Sequence, residues 1–123
     1  MQILIVDNSQ TALTTLRDLL TGNGFDVFTA RNGREGLAML DQNPTCRIVV
    51  SGWEMGEMNG VDFCKAVRTR TQYIYFVFYT AYSGTNVLEG LEVGADDFIP
   101  KSCNSQELVA RLRVAHRITS LIK

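Results

Sequence analysis

The chain has 123 residues, of which 46% are hydrophobic and 20% are charged, and its formal net charge is −1. These values fit one globular domain with a continuous core, and they give no electrostatic reason to expect nucleic acid or an anionic membrane as a partner. The apolar runs are far shorter than the roughly 20 residues that span a bilayer, and the three cysteines (Cys46, Cys64 and Cys103) show no metal-binding spacing and are typical of reduced thiols in a cytoplasmic protein.

The first half of the chain alternates short apolar runs with amphipathic stretches. Residues 2–6, 25–29 and 47–51 predict three strands. Ser9 is the predicted N-cap of a first helix with leucines on one face, and Gly22-Asn23-Gly24 ends that helix. Asn32 and Gly33 open a second helix, which stops before Pro44.

The second half continues the same alternation. A third helix is predicted from Val61 to Arg68, with Val61, Cys64 and Val67 facing inward. Residues 73–79 are the strongest strand signal, because aromatic and β-branched residues suit a strand that is covered on both faces. Residues 84–93 form a weaker fourth helix. Residues 98–100 form a short edge strand, since Pro100 has no N–H to donate.

Ser105 is the predicted N-cap of a long final helix, whose apolar residues share one face: Leu108, Leu112, Ala115, Ile118 and Ile122. The apolar spacing continues almost to the last residue, which is typical of a linker helix or a dimer seam. A frayed end with a few exposed apolar residues is the alternative. We expect residues 1–123 to be a single domain and the N-terminal part of a longer protein.

Five successive strand–helix units predict an α/β sandwich with a parallel sheet and right-handed crossovers. In such sheets the functional crevice lies at the carboxyl ends of the strands. That rule brings together Asp7-Asn8, Gly52, Thr80 and Lys101, each of which stands where an apolar run ends.

The motifs around these positions occur in one order along nearly the whole chain: Ile3-Leu4-Ile5-Val6-Asp7, Ala30-Arg31-Asn32-Gly33, Trp53-Glu54-Met55, Met58-Asn59-Gly60, Thr80-Ala81, Gly94-Ala95-Asp96-Asp97-Phe98 and Lys101. The chain thereby resembles the receiver domain of a bacterial two-component response regulator, of the chemotaxis-regulator type. The resemblance implies a flavodoxin-like three-layer sandwich, with five helices and a five-stranded parallel sheet of order 2-1-3-4-5. It also implies a part in phosphorelay signalling and no enzymatic activity.

In that family, an acidic pair after the first strand and an aspartate after the third strand bind Mg²⁺, and a histidine kinase's phosphoryl group moves to that aspartate. The resemblance assigns a place in this site to seven residues: Asp7 and Asn8 to the acidic pair, Gly52 to the phosphoacceptor, Glu54 to the metal-binding backbone carbonyl, Thr80 to the switch hydroxyl, Phe98 to the switch aromatic and Lys101 to the lysine. Oxygen ligands suit Mg²⁺. The metal and the lysine then neutralise the charge that develops on the transferring phosphoryl group.

Several of these positions depart from the family pattern. Gly52 has no side chain to phosphorylate, and Asn8 offers a carbonyl oxygen but no charge. Mg²⁺ binding is therefore expected to be weak or lost, and no other cofactor is expected. Lys101 lacks its usual partner, so we expect it to pair with Asp7 or Glu54, or to turn to solvent. Ser102 replaces the usual proline, and a trans bond is expected before it because cis would cost roughly 3 kcal/mol more.

The leading interpretation is a pseudo-receiver that binds a protein through the fourth helix, fifth strand and fifth helix. The partner is a histidine kinase, an output domain or a second copy of the chain. The alternative is a phosphorylation-competent receiver whose acceptor was removed by substitution at Gly52. A small-ligand or flavin binder is a third class, but the loop after the first strand lacks a glycine-rich phosphate cradle.

Five further residues are weighed as candidates. Ser51 is interpreted as a core-facing hydroxyl rather than a surrogate acceptor, and His116 as a helix-surface residue rather than a phosphotransfer histidine. Cys103 is interpreted as an ordinary reduced thiol; the alternative is that the nearby lysine lowers its thiol pKa and makes it redox-active. Tyr79 and Tyr82 are placed at the mouth of the pocket.

Overall fold

The computed structural model describes residues 1–81 and 85–122, with the side chains of residues 85 and 86 left out. Strands and helices alternate: β1 Gln2–Val6, α1 Gln10–Thr21, β2 Asp26–Ala30, α2 Gly33–Gln42, β3 Ile48–Ser51, α3 Gly60–Arg68, β4 Tyr75–Thr80, α4 Thr85–Glu92, β5 Asp97–Pro100 and α5 Ser105–Leu121. The predicted α/β fold is confirmed. None of the helices in the described ranges is long and apolar enough to span a membrane.

The strands form one parallel sheet of order β2-β1-β3-β4-β5, as predicted. Val6 of β1 pairs with Ser51 of β3, and Ser51 pairs with Phe78 of β4. Thr80 pairs with Pro100 in β5, which is the edge strand that the proline predicted. This register aligns the carboxyl ends of the four strands that lead into Asp7, Gly52, Ala81 and Lys101.

Alternate residues along the strands feed two separate cores, because neighbouring side chains in a strand point to opposite faces. One core packs Ile3 and Ile5 of β1 against α1 and α5. The other packs Leu4 and Val6 against α2 and α3, with Phe63 at its centre. These two cores make the three layers of the sandwich.

Helix starts follow the capping rules with one correction. The side chain of Ser9 accepts a hydrogen bond from Ala12 N, so this predicted N-cap is confirmed, and Asn32 caps the second helix by accepting from Glu35 N. The predicted cap at Ser105 is wrong. Asn104 is the N-cap of α5, because its Oδ1 accepts a hydrogen bond from Glu107 N at 2.8 Å, and Ser105 is the first helical residue.

Strand boundaries differ from the predictions by one or two residues. The second strand begins and ends one residue later than expected, and β4 covers residues 75–80 rather than 73–79. Phe76, Val77 and Phe78 are buried, as expected for a strand covered on both faces. In α3, Val61 is only half-buried, whereas Phe63 is fully buried. The predicted start of the fourth helix at residue 84 lies outside the described residues.

Candidate functional site

The carboxyl ends of β1, β3, β4 and β5 meet around a cavity of about 310 Å³. Six of the seven residues assigned to the site from sequence line this cavity: Asp7, Asn8, Gly52, Glu54, Thr80 and Lys101. Ser9, Trp53, Tyr79 and Ala81 complete its wall. The parallel sheet therefore gathers residues that are far apart in the chain.

Asp7 and Lys101 form an ion pair across this cavity. The distance from Asp7 Oδ2 to Lys101 Nζ is 3.0 Å, and Asp7 Oδ1 accepts a hydrogen bond from the backbone N–H of Ser9 at 2.9 Å. The backbone N–H of Lys101 donates to the carbonyl of Thr80 at 2.8 Å, and this hydrogen bond fixes the backbone from which the lysine side chain extends. Of the three expected arrangements of Lys101, the structure shows the pair with Asp7. There is no cis peptide bond in the described ranges, so the bond before Ser102 is trans as expected.

Gly52 is buried at the floor of the cavity, and its backbone is fixed. Its N–H donates to the Val6 carbonyl at 2.9 Å, and its carbonyl accepts a hydrogen bond from Ser51 Oγ at 2.8 Å. A Cβ added at Gly52 would lie 3.5 Å from both Asp7 Oδ2 and Met55 Cγ, which are ordinary contact distances. Crowding at the Cβ therefore does not explain the glycine, and a methyl group would fit there.

Asn8 and Glu54, the other two positions that the resemblance assigned to metal binding, contribute little charge to the cavity. Asn8 and Glu54 are both exposed, and Glu54 makes no salt bridge with any residue that the structure describes. Among the described residues, no group of three or more His, Cys, Asp or Glu side chains is placed to hold a metal ion. Of the two carboxylates that line the cavity in the described ranges, Asp7 is already bound to a lysine and Glu54 is exposed, so this donor set does not fit Mg²⁺ well.

The switch positions lie beside an aromatic cluster. Thr80 is 4% exposed. Phe98 is half-buried and packs against Trp53, with ring centroids 6.0 Å apart, and against Phe78 at 5.9 Å. Trp53 also packs on Phe78 at 4.9 Å. Trp53 was missed as a site residue, although its position directly after Gly52 placed it in the same loop.

The Tyr79 ring lies beside Lys101, whose Nζ is 5.9 Å from the ring centroid. Burial raises the pKa of the Tyr79 hydroxyl. Tyr79 therefore borders the cavity as expected, whereas Tyr82 lies outside the described residues. Ser51 is buried and its hydroxyl donates to a backbone carbonyl, which agrees with a core-facing role.

The alternative of a lowered thiol pKa at Cys103 is contradicted by its surroundings. Its Sγ lies 3.0 Å from Oε2 of Glu107, and this hydrogen bond to a carboxylate raises the pKa of the thiol. The same contact, together with the Glu107–Arg111 hydrogen bond, lowers the pKa of Glu107. His116 is half-buried at the opposite end of the sheet, away from the Gly52 cavity.

A family model described as the response regulator receiver domain matches residues 3–113. The chain belongs to the response regulator receiver family. Receiver domains are signalling domains rather than enzymes, and they work with histidine kinases and output domains in two-component systems, so the expected class of protein is confirmed.

Curated relatives agree with this assignment. The chain is 35% identical over 116 residues to the transcriptional regulatory protein CpxR of Klebsiella pneumoniae, a match that covers 94% of this chain and 49% of CpxR. It is 32% identical over 118 residues to the chemotaxis protein CheY1 of Helicobacter pylori, covering 93% of this chain and 95% of CheY1. The chain thus spans about half the length of the CpxR relatives and nearly all of CheY1.

Solved structures show the same fold. The chemotaxis protein CheY4 of Vibrio cholerae is 30% identical, with a TM-score of 0.86 over 93% of this chain and 97% of CheY4. A receiver domain protein from Clostridium thermocellum has a TM-score of 0.91 over 99% of this chain and 98% of its own, at 23% identity. The flavodoxin-like topology predicted from the motifs is confirmed.

Proposed function

We propose that this receiver is a pseudo-receiver, which takes no phosphoryl group on an aspartate and acts through protein–protein contacts. The observation that carries the proposal is the glycine at the acceptor position. An acceptor must offer a carboxylate oxygen at the end of β3, and Gly52 offers only a backbone. Incubation with a small phosphodonor is expected to leave the intact mass of the protein unchanged.

The Asp7–Lys101 pair supports this proposal, because the two side chains satisfy each other without a third charge. In a receiver with an acceptor aspartate, a lysine placed here would face more than one carboxylate. In this chain the 3.0 Å contact engages Lys101 with Asp7. The charges of Asp7 and Lys101 therefore cancel, and the exposed Glu54 is the other carboxylate that lines the cavity in the described ranges. The cavity thus does not concentrate negative charge for a divalent cation.

We infer that Mg²⁺ binds weakly. Mg²⁺ prefers carboxylate oxygens, and to use Asp7 it would have to displace Lys101 from the same oxygen. Titration of Mg²⁺ against the fluorescence of Trp53, the chain's single tryptophan, tests this. The signal should change little at millimolar metal, and a tight saturable response would overturn the inference.

The proposed contact surface consists of α4, β5 and α5. Leu88 and Leu91 of α4 are 64% and 46% exposed, and large exposed apolar side chains of this kind are typical of interaction sites when they cluster. Ile118, Leu121 and Ile122 extend apolar exposure to the end of α5, with Leu121 at 82%. The partner is a histidine kinase, an output domain of the same protein or a second copy of the chain.

Sedimentation at several concentrations tests the last of these partners. If two copies associate through this surface, Leu88→Lys weakens the association at least tenfold, because it places a charge in the contact. Glu57→Lys, on an exposed residue outside the surface, is the matched control and should leave the association unchanged. Association that is insensitive to Leu88→Lys would contradict the assignment of this surface.

One observation favours the second candidate, a competent receiver inactivated by substitution at position 52. The Cβ position of Gly52 is open, and Asp7, Thr80 and Lys101 are all in place around it. Gly52→Asp discriminates between the two candidates. Mg²⁺ binding and phosphorylation of this variant by a small phosphodonor would favour the second candidate. A Gly52→Asp variant that neither binds Mg²⁺ nor gains a phosphoryl group would show that Asn8 and the loop after β3 have diverged as well. Gly52→Asn is the uncharged control of similar size.

A further inference from the structure

A second cavity lies at the opposite end of the sheet from Gly52, beside the amino ends of β1 and β3. Its volume is about 320 Å³, which is enough for a small metabolite. Gln2, Thr45, Arg47 and Ile48 line one side, and His116 and Ser120 of α5 line the other. The function proposed above uses none of these side chains.

Arg47, which lines this cavity, has a side-chain nitrogen whose hydrogen bond is unmet. Its Nε is buried and has no hydrogen-bond partner among the residues that the structure describes. Arg68, by contrast, is fully engaged, since it donates to the carbonyls of Gly94 and Ile74 and to the carboxylate of Asp96. A buried guanidinium N–H without an acceptor is costly, so a side-chain shift that brings it to an acceptor oxygen in the cavity would be favoured.

Two other residues that line the cavity, Gln2 and His116, offer N–H donors. Thr45 Oγ1 donates to Gln2 Oε1 at 2.6 Å, and this contact leaves the amide nitrogen of Gln2 as a donor. The His116 imidazole adds another ring N–H. No aspartate or glutamate is among the described residues that line the cavity. The chemistry therefore matches a ligand that carries negative charge and several acceptor oxygens.

We propose that this cavity binds a small oxyanion, the phosphate or carboxylate group of a metabolite, with Arg47 as its principal ligand. A guanidinium presents paired donors that match both groups. His116 and the Gln2 amide contribute further hydrogen bonds. The site is independent of the acceptor position, because Gly52 stands at the other end of β3.

The chain provides a separate reporter for each end of the sheet. His116 is its only histidine and lies in the Arg47 cavity, whereas Trp53 is its only tryptophan and lies at the Gly52 cavity. Inorganic phosphate and acetate are titrated separately at constant ionic strength, and NMR follows the His116 imidazole, the Arg47 Nε–H and the Trp53 indole. We expect saturable shifts at His116 and Arg47 and little change at Trp53. The anion that saturates at lower concentration identifies the ligand class.

Arg47→Gln removes the guanidinium and should weaken binding at least tenfold. Arg34→Gln, on a side chain that is 79% exposed, is the matched control and should bind like the wild type. Shifts that do not saturate, equal binding by Arg47→Gln, or a response at Trp53 instead of His116 would each overturn the proposal. If Arg47→Gln does not fold, the wild-type Arg47 Nε–H signal decides, because a bound anion must shift it.

Discussion

The carboxylate of Asp7 lies 3.0 Å from the ammonium of Lys101, and the same carboxylate oxygen lies 3.5 Å from the Cβ position that Gly52 leaves open. The same oxygen atom of Asp7 thus contacts Lys101 and faces the position where an acceptor side chain would begin. The side chains of Asp7 and Lys101 are 17% and 34% exposed, so the pair is only partly screened by solvent.

Asp7→Asn should destabilise the domain by about 1 kcal/mol, between the values typical of exposed and buried pairs. The asparagine can still accept the hydrogen bond from Ser9 N, so the loss reports mainly on Lys101. Urea denaturation measures it, and the difference should shrink in high salt. Asp18→Asn is the control, because its contact with Arg17 is 3.8 Å long and largely exposed. Equal effects of the two substitutions would contradict a structural role for the pair.

Two neighbouring glycines should respond in opposite ways to a methyl group. A Cβ at Gly60 would clash with the Gly52 carbonyl oxygen and lie 2.8 Å from the Phe78 ring, so Gly60→Ala should cost about 1–3 kcal/mol. Gly52→Ala meets only ordinary contacts and should be neutral or stabilise by up to about 1 kcal/mol. Thermal unfolding of both variants compares them. A strongly destabilised Gly52→Ala would show that the acceptor position is sterically closed.

The cap of α5 can be tested with two adjacent substitutions. Asn104→Ala removes the acceptor for Glu107 N and should cost about 1 kcal/mol, whereas Ser105→Ala should change the free energy of unfolding by less than about 0.5 kcal/mol. Chemical denaturation distinguishes the two. A larger loss of unfolding free energy for Ser105→Ala than for Asn104→Ala would show that Ser105 is the cap, as the sequence first indicated.

Stability should fall at alkaline pH because of buried thiols. Burial raises the pKa of Cys64 to about 11, whereas an exposed thiol has a pKa of about 8.5. The contribution of the neutral Cys64 thiol to the free energy of unfolding is fully present below about pH 8.5. It is lost as the pH rises toward 11, since the thiol releases its proton in the unfolded chain first. The predicted loss is roughly 3 kcal/mol for this thiol. Cys64→Ala should flatten the decline relative to the wild type in denaturation curves taken from pH 8 to 11, and identical slopes would contradict the assignment.

Much of the fold was predictable because each level of the sequence agreed with the next. The apolar runs predicted all five strands, and Pro100 identified the edge of the sheet. The parallel topology then brought Asp7 and Lys101 together, although 94 positions separate them. The family motifs supplied the roles that pattern alone could not.

Other features depended on geometry that the sequence does not specify. Asn104 and Ser105 are both good caps, and only the backbone of the preceding turn decides between them. The packing of Trp53 against Phe78 and Phe98 depends on how the loop after β3 folds back. The burial of the Arg47 Nε was not predictable, because a single charged residue at the first position of a predicted strand is ordinarily solvated.

The intact mass of the protein after incubation with acetyl phosphate and Mg²⁺ tests the central claim most directly. Gly52→Asp is treated in parallel and shows whether an aspartate at this position restores phosphorylation. A wild-type mass without an added phosphoryl group is the predicted result, because residue 52 has no carboxylate to accept it. A wild-type protein that gains one phosphoryl group would contradict the account.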